Sequence, residues 1–133
     1  MTRLLLAMAV ALFLVPGARA QFNPDFNHLE CYSLKPAPGQ QFQPQTVDVE
    51  TQFGVHVAVE VKKPHRLCLP AKKTGGGTDP FPPTAVPHFL CYKVKTRIRF
   101  PQFVRLTDQF GTIRERTSKP QLLCTPVVKE LVM

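Results

Sequence analysis

The chain is 133 residues long and carries 17 Lys and Arg against 9 Asp and Glu, a net charge of +8. Fourteen prolines, seven glycines and no tryptophan argue against a helix-rich architecture, because proline inside a helix removes a backbone donor and clashes with the preceding turn. Val, Phe and Thr stand out in the patterned segments, which suits strands joined by irregular turns.

Residues 1 to 20 read as an export signal. Arg3 supplies a positive start, Leu4 through Val15 is an unbroken apolar run, and Pro16-Gly17 closes it before Ala18-Arg19-Ala20, a small-residue cleavage pattern. The run is shorter than the ~20 residues that cross a bilayer. The expectation is therefore a cleaved signal and a secreted or periplasmic chain over 21–133 that does not span a membrane. A lipid anchor would need a cysteine at the new N-terminus, and the first cysteine is Cys31.

The remainder is a tandem duplication, with a repeat over 28–73, a linker over 74–87 and a repeat over 88–129. His28-Leu29-Glu30-Cys31-Tyr32 is answered by His88-Phe89-Leu90-Cys91-Tyr92, Gln52-Phe53-Gly54 by Gln109-Phe110-Gly111, and Lys63-Pro64, Leu67-Cys68 and Pro70 by Lys119-Pro120, Leu123-Cys124 and Pro126. The offset is 60 at His28/His88, 57 at Pro44/Pro101 and 56 at Pro64/Pro120. The second repeat thus loses residues at two places, which are expected to be loops, where deletions are tolerated.

Taken in order, Cys31 to Lys35 is a short strand stopped by Pro36, Pro38 and Gly39. Thr46 to Phe53 alternates, with Val47, Val49, Thr51 and Phe53 facing one way and Asp48, Glu50 and Gln52 the other. Gly54 breaks the run. Val55, Val57, Val59 and Val61 then alternate with His56, Ala58 and Glu60, so a hairpin is expected at Gly54. Arg66 to Leu69 makes a fourth strand between Pro64 and Pro70. The linker combines a flexible Gly75-Gly76-Gly77 with stiffening prolines. The second repeat follows the plan with strands at Phe89 to Lys95, extending toward Phe100, at Phe103 to Phe110, near Thr112 to Thr117, and around Leu122 to Thr125. Val104, Leu106 and Phe110 fall where Val47, Val49 and Phe53 fell, so they are expected to face inward. The fold class that follows is all-β: two tandem four-stranded repeats forming one domain, either a sandwich or a partly open barrel. Each repeat alone is short for an independent core, so the two are expected to share one.

Four cysteines, two per repeat, indicate a disulfide framework. Three pairings are open. Cys31 with Cys68 and Cys91 with Cys124 is the simplest, since a duplicated unit carries its own staple, whereas Cys31 with Cys124 and Cys68 with Cys91 would mean exchanged strands.

Cys91-Tyr92-Lys93-Val94-Lys95, Thr107-Asp108-Gln109-Phe110-Gly111 and Leu122-Leu123-Cys124-Thr125-Pro126-Val127 resemble a family of secreted bacterial proteins known only as a domain of unknown function. The resemblance covers about 28 to 129. The first repeat departs from the pattern at Glu30, for Leu90, and at Leu69, for Thr125. The resemblance implies an exported module and brings no activity, substrate or site with it.

The sharpest chemical feature is the basic row Lys93, Lys95, Arg97 and Arg99. On one extended strand, neighbours in the row would stand roughly 7 Å apart, a spacing that suits successive phosphate or sulfate groups. Residues 88 to 133 hold nine basic and three acidic side chains, a net of +6, against six and four, a net of +2, over 28 to 73. Arg105, Arg114 and Arg116 lie in the same half. The first repeat has Ser33, Lys35, Ala37 and Gly39 at the counterpart positions, so the fold does not demand the row. Two readings compete: an edge strand guarded by charge, or a contact to anionic glycan, lipopolysaccharide or lipid headgroups. Intracellular nucleic acid is not expected of an exported chain.

Other constellations are weaker. His28 and His88 each stand three residues before a cysteine, but odd spacing along a strand puts the two side chains on opposite faces and export favours oxidised thiols, so no metal or other cofactor is expected. Asp48 and Glu50 share a strand face, as paired catalytic carboxylates do, yet their counterparts Arg105 and Thr107 suggest a charge pair between related strands. Phe22, Phe26 and Phe81 are candidates for a partner patch or for caps over a small core. The expected function is a non-enzymatic binding or structural module at the cell envelope; the alternative is an extracellular enzyme or enzyme inhibitor.

Overall fold

A computed structural model describes residues 23–132; the expected export signal over 1–20, Gln21 and Phe22 lie outside the described residues. Seven strands and no helix are present among the described residues. They are β1 (His28–Ser33), β2 (Gln45–Thr51), β3 (Gly54–Ala71), β4 (Phe89–Lys95), β5 (Phe103–Asp108), β6 (Gly111–Arg116) and β7 (Leu122–Pro126). β1, β3, β4 and β7 lie side by side, all neighbours antiparallel, and β2 pairs with the other end of β3. β5 and β6 form a separate two-stranded sheet. The architecture is all-β, with two sheets that do not close into a barrel.

The strand count is seven because the third and fourth strands of the first repeat are one. β3 runs for 18 residues straight through Pro64. The chain passes the proline by shifting register between Val61 and Pro64 and again between Pro64 and Arg66. Bulges are where a strand tolerates a residue that cannot donate to the ladder.

The two hairpins show the duplication residue by residue. Val47, Val49, Glu50 and Thr51 face Val59, His56, Val55 and Gly54, while Val104, Leu106, Thr107 and Asp108 face Glu115, Ile113, Thr112 and Gly111. In the first hairpin two residues, Val57 and Ala58, stand opposite Asp48 alone. This bulge is the second of the two length differences. It lies inside a strand and not in a loop, because an extra residue can be absorbed there as a bulge. Ala58 adopts a left-handed φ of 53°, and Asp48 Oδ1 accepts its N–H at 2.8 Å.

The bulge also inverts the face pattern. His56, Val59 and Val61 are buried, whereas Val55 and Val57 are exposed; the four valines that alternate in the sequence are split between faces because one inserted residue turns every following side chain over. The second hairpin lacks this packing altogether. Val104 is half-buried, and Leu106 and Phe110 are exposed, so its expected inward face is open.

At the first hairpin turn Gly54 has φ 141°, and a Cβ there would come within 2.8 Å of the Phe100 ring. Glycine is needed both for the backbone and for the approach of the second repeat.

The disulfides are Cys31–Cys68 and Cys91–Cys124, the pairing of a self-stapled repeat. Each links residues directly opposite across β1/β3 or β4/β7, and the inner sulfurs, of Cys68 and Cys91, lie 3.9 Å apart. The four cysteines thus form one row across four strands. Val59, Val61, Cys68 and Cys91 are the fully buried apolar residues among those described, so half of this small core is disulfide.

Replacing Cys31 and Cys68 together by Ala is expected to cost about 4 kcal/mol in the chain-entropy model for a loop of this size, read as a fall in the denaturant midpoint. Ala58→Gly should stabilise by up to about 1 kcal/mol by relieving the left-handed backbone, and Asp48→Ala should destabilise by about 1 kcal/mol through the lost N–H acceptor; chemical denaturation checks both.

Candidate functional site

Lys93, Lys95, Arg97 and Arg99 are all exposed, and Val94, Thr96, Ile98 and Phe100 between them are half-buried. The alternation therefore holds across the row. The strand itself ends at Lys95, which places Arg97 and Arg99 on the connection to β5. The edge-strand reading is overturned: β4 lies between β3 and β7, so both of its backbone edges are already paired and charge has no edge to guard there.

The structure brings Lys93 against a second basic run that the row alone does not reveal. Lys62-Lys63-Pro64-His65-Arg66 lies on β3, and the register shifts put its bulged residues alongside Tyr92 and Lys93. His65, Arg66, Lys93 and Gln121 line a shallow depression of about 310 Å³ with Val94 and Leu122. Desolvation, followed by the positive charges of Lys93, Arg66 and Lys63, holds the His65 imidazole below its ordinary pKa. Positive groups converge here without a carboxylate in the lining. Lys95, by contrast, faces Glu60 across β3. The run at 62–66 was visible in the sequence, but its adjacency to Lys93 depends on β4 pairing with β3, which no local pattern specifies.

A further cationic surface lies on the second hairpin. Arg105 is directly opposite Arg114, both exposed, and Arg116 sits over the Phe103 ring at 5.6 Å. Like charges directly opposite on a sheet are unfavourable unless countered. The expected charge pair between Asp48 and Arg105 does not form among the described residues; Asp48 Oδ1 accepts the Ala58 N–H.

An apolar cavity of about 470 Å³ lies at the junction of the repeats. Val49, Phe53 and His56 line it from the first, and Phe100, Leu122 and Leu123 from the second. The His56 ring meets Phe100 edge-on at 4.8 Å, and its buried Nδ1 has no partner. No carboxylate lines this cavity.

The match to known families covers residues 28–131, which includes both repeats and the linker, and is to the model described as Repeat of unknown function (DUF7450). The chain belongs to that family. No curated protein and no solved structure matches it. The family's description assigns no reaction to the repeat.

The remaining candidates lie elsewhere. His28 Nδ1 is 2.7 Å from Asn27 Oδ1 and its Nε2 is 3.0 Å from Gln109 Nε2 and 3.8 Å from Asp79 Oδ2, so it ties the tip of the second hairpin to the first repeat and the linker. All four cysteine sulfurs are in disulfides. His88 Nδ1 is buried without a partner. Phe26 and Phe81 are exposed; Phe22 lies outside the described residues.

Removing the Lys93 charge should let the His65 imidazole titrate closer to its ordinary value. An NMR pH titration of Lys93→Ala is expected to show the His65 midpoint moving up.

Proposed function

We propose that this repeat protein is a non-enzymatic binding module that engages extended polyanions through Lys93, Lys95, Arg97 and Arg99, joined by Lys63, His65 and Arg66. The observation that carries the reading is that Lys93, on an interior strand, faces a second basic run with no acid in the depression between them. Bringing cations together costs free energy that an anion recovers, and a phosphate- or sulfate-bearing chain releases condensed counterions as it binds. Exposed lysines and arginines along one row suit repeating charges better than a single small anion.

The partner class follows from compartment. Two disulfides fit an oxidising, extracellular setting, and with the export signal of residues 1–20 they favour secretion or a periplasmic location. No helix among the described residues is long and apolar enough to cross a membrane. Acidic glycan, lipopolysaccharide and anionic lipid headgroups are the polyanions such a protein meets. The alternative class, an extracellular enzyme, has less to draw on: Asp48 is engaged by the Ala58 N–H.

Binding to a sulfated glycan and to vesicles containing anionic lipid should weaken steeply with salt. The variant with Lys93, Lys95, Arg97 and Arg99 all changed to Ala should bind at least about tenfold more weakly with a shallower salt slope. Affinity should also rise as pH falls from 7.5 to 5.5. The surroundings hold the His65 pKa below its ordinary value, so the ring takes up its proton in the lower part of this range and adds a charge that the anion favours. Equal affinity of parent and variant in calorimetric titrations would remove this reading.

A further inference from the structure

The two repeats meet through an interface that the chain could form again with another molecule. β3 of the first repeat pairs with β4 of the second in the register Cys68 with Phe89, Leu67 with Leu90 and Arg66 with Cys91. The duplication maps β3 onto β7 and β4 onto β1. The outer edges of β1 and β7 have no strand partner among the described residues. They are the two halves of the same interface, left open at opposite ends of the sheet.

Exposure supports the mapping residue by residue. Cys68 is 5 % exposed and Cys91 1 %, but their counterparts Cys124 and Cys31 are exposed. Tyr92 is half-buried with Phe42 of the first repeat 5.2 Å from its ring, while its counterpart Tyr32 is 49 % exposed. Phe89 is half-buried and Leu29 exposed. In each pair, the residue covered at the internal junction has an uncovered counterpart at an outer edge.

The backbone matches too. Leu34 N donates to His65 O at 3.0 Å, and Val94 N donates to Gln121 O at 3.2 Å; these are counterpart bonds, so β1 and β4, and likewise β3 and β7, present the same alternation of inward and outward groups. On that alternation the N–H groups of Leu29 and Cys31, and of Leu122 and Cys124, point to the open edges.

We propose that the chain associates head to tail with further copies of itself: β7 of one molecule pairs antiparallel with β1 of the next, Cys124 beside Leu29, Leu123 beside Glu30 and Leu122 beside Cys31. The interface is heterologous, so it leaves one free edge at each end and continues into a filament or ring. It extends one sheet across many molecules and repeats the disulfide row. This inference is independent of polyanion binding. With an excess of Lys and Arg over Asp and Glu in each chain, joining molecules brings like charges together, so salt should strengthen association while it weakens the glycan contact.

Sedimentation velocity of the oxidised protein across concentration and salt is the test, with hydrogen exchange alongside. The expected result is a series of species growing beyond the dimer, favoured by salt, with exchange at Leu29, Cys31, Leu122 and Cys124 amides slowed about tenfold or more on assembly. Leu29→Pro and Leu122→Pro each remove one outward donor. Each variant alone should stop growing, and a mixture of the two should form a one-to-one dimer through the intact edge of each. A monomer at every concentration, or a closed dimer that protects only β1 or only β7, overturns the proposal. So does growth of either proline variant equal to that of the parent. The parent measurements decide the matter even if a proline variant fails to fold.

Discussion

Everything in this fold leans on the row of four cysteines across β1, β3, β4 and β7. Each disulfide joins residues that already face one another, and the two bonds lie against each other at the boundary between the repeats. With so few buried apolar side chains, burial alone supplies little to offset the conformational entropy of ordering the chain. Closing two loops, with sequence separations of 37 and 33, lowers the entropy of the unfolded chain instead. The inner sulfurs then serve as core atoms in their own right.

A single residue separates the fates of the two hairpins. The extra residue at Val57–Ala58, held by Asp48, turns His56 inward before the bulge and Val59 and Val61 inward after it. That gives the first hairpin a packed face against Phe100 and lets β3 run on into the sheet. In the second repeat Arg105 replaces Asp48 and the extra residue is gone. Its hairpin becomes a separate sheet, exposed along all of β6 and tied down at its tip through Gln109 to His28. Duplication thus supplied two copies of a scaffold, and divergence gave one of them packing and the other charge.

Much of this was legible in the residues. Matching cysteines gave the disulfide pairing, because each repeat carries its own; Gln-Phe-Gly gave both hairpin turns; alternation gave β2, β4 and β5. What escaped were the effects of bulges and of strand neighbours. A bulge at Val57–Ala58 leaves the period-two pattern of valines intact on paper while reversing the face they occupy. Pro64 looked like a stop, yet β3 passes it by shifting register. The edge reading of β4 failed because its position between β3 and β7 is fixed by long-range pairing. The same pairing hid the neighbourhood of Lys93, His65 and Arg66, although the run at 62–66 was plain.

If the β3–β4 junction is the centre of the molecule, the two repeats form one cooperative unit and not two stapled beads. Denaturant unfolding of the oxidised protein, followed by residue-resolved hydrogen exchange, tests that most directly. A single transition is expected, with the slowest amides in β3 and β4 around Val61, Cys68 and Cys91 and with both repeats lost together. Two separable transitions, one for each disulfide-bounded repeat, with no extra protection at the junction, would contradict it.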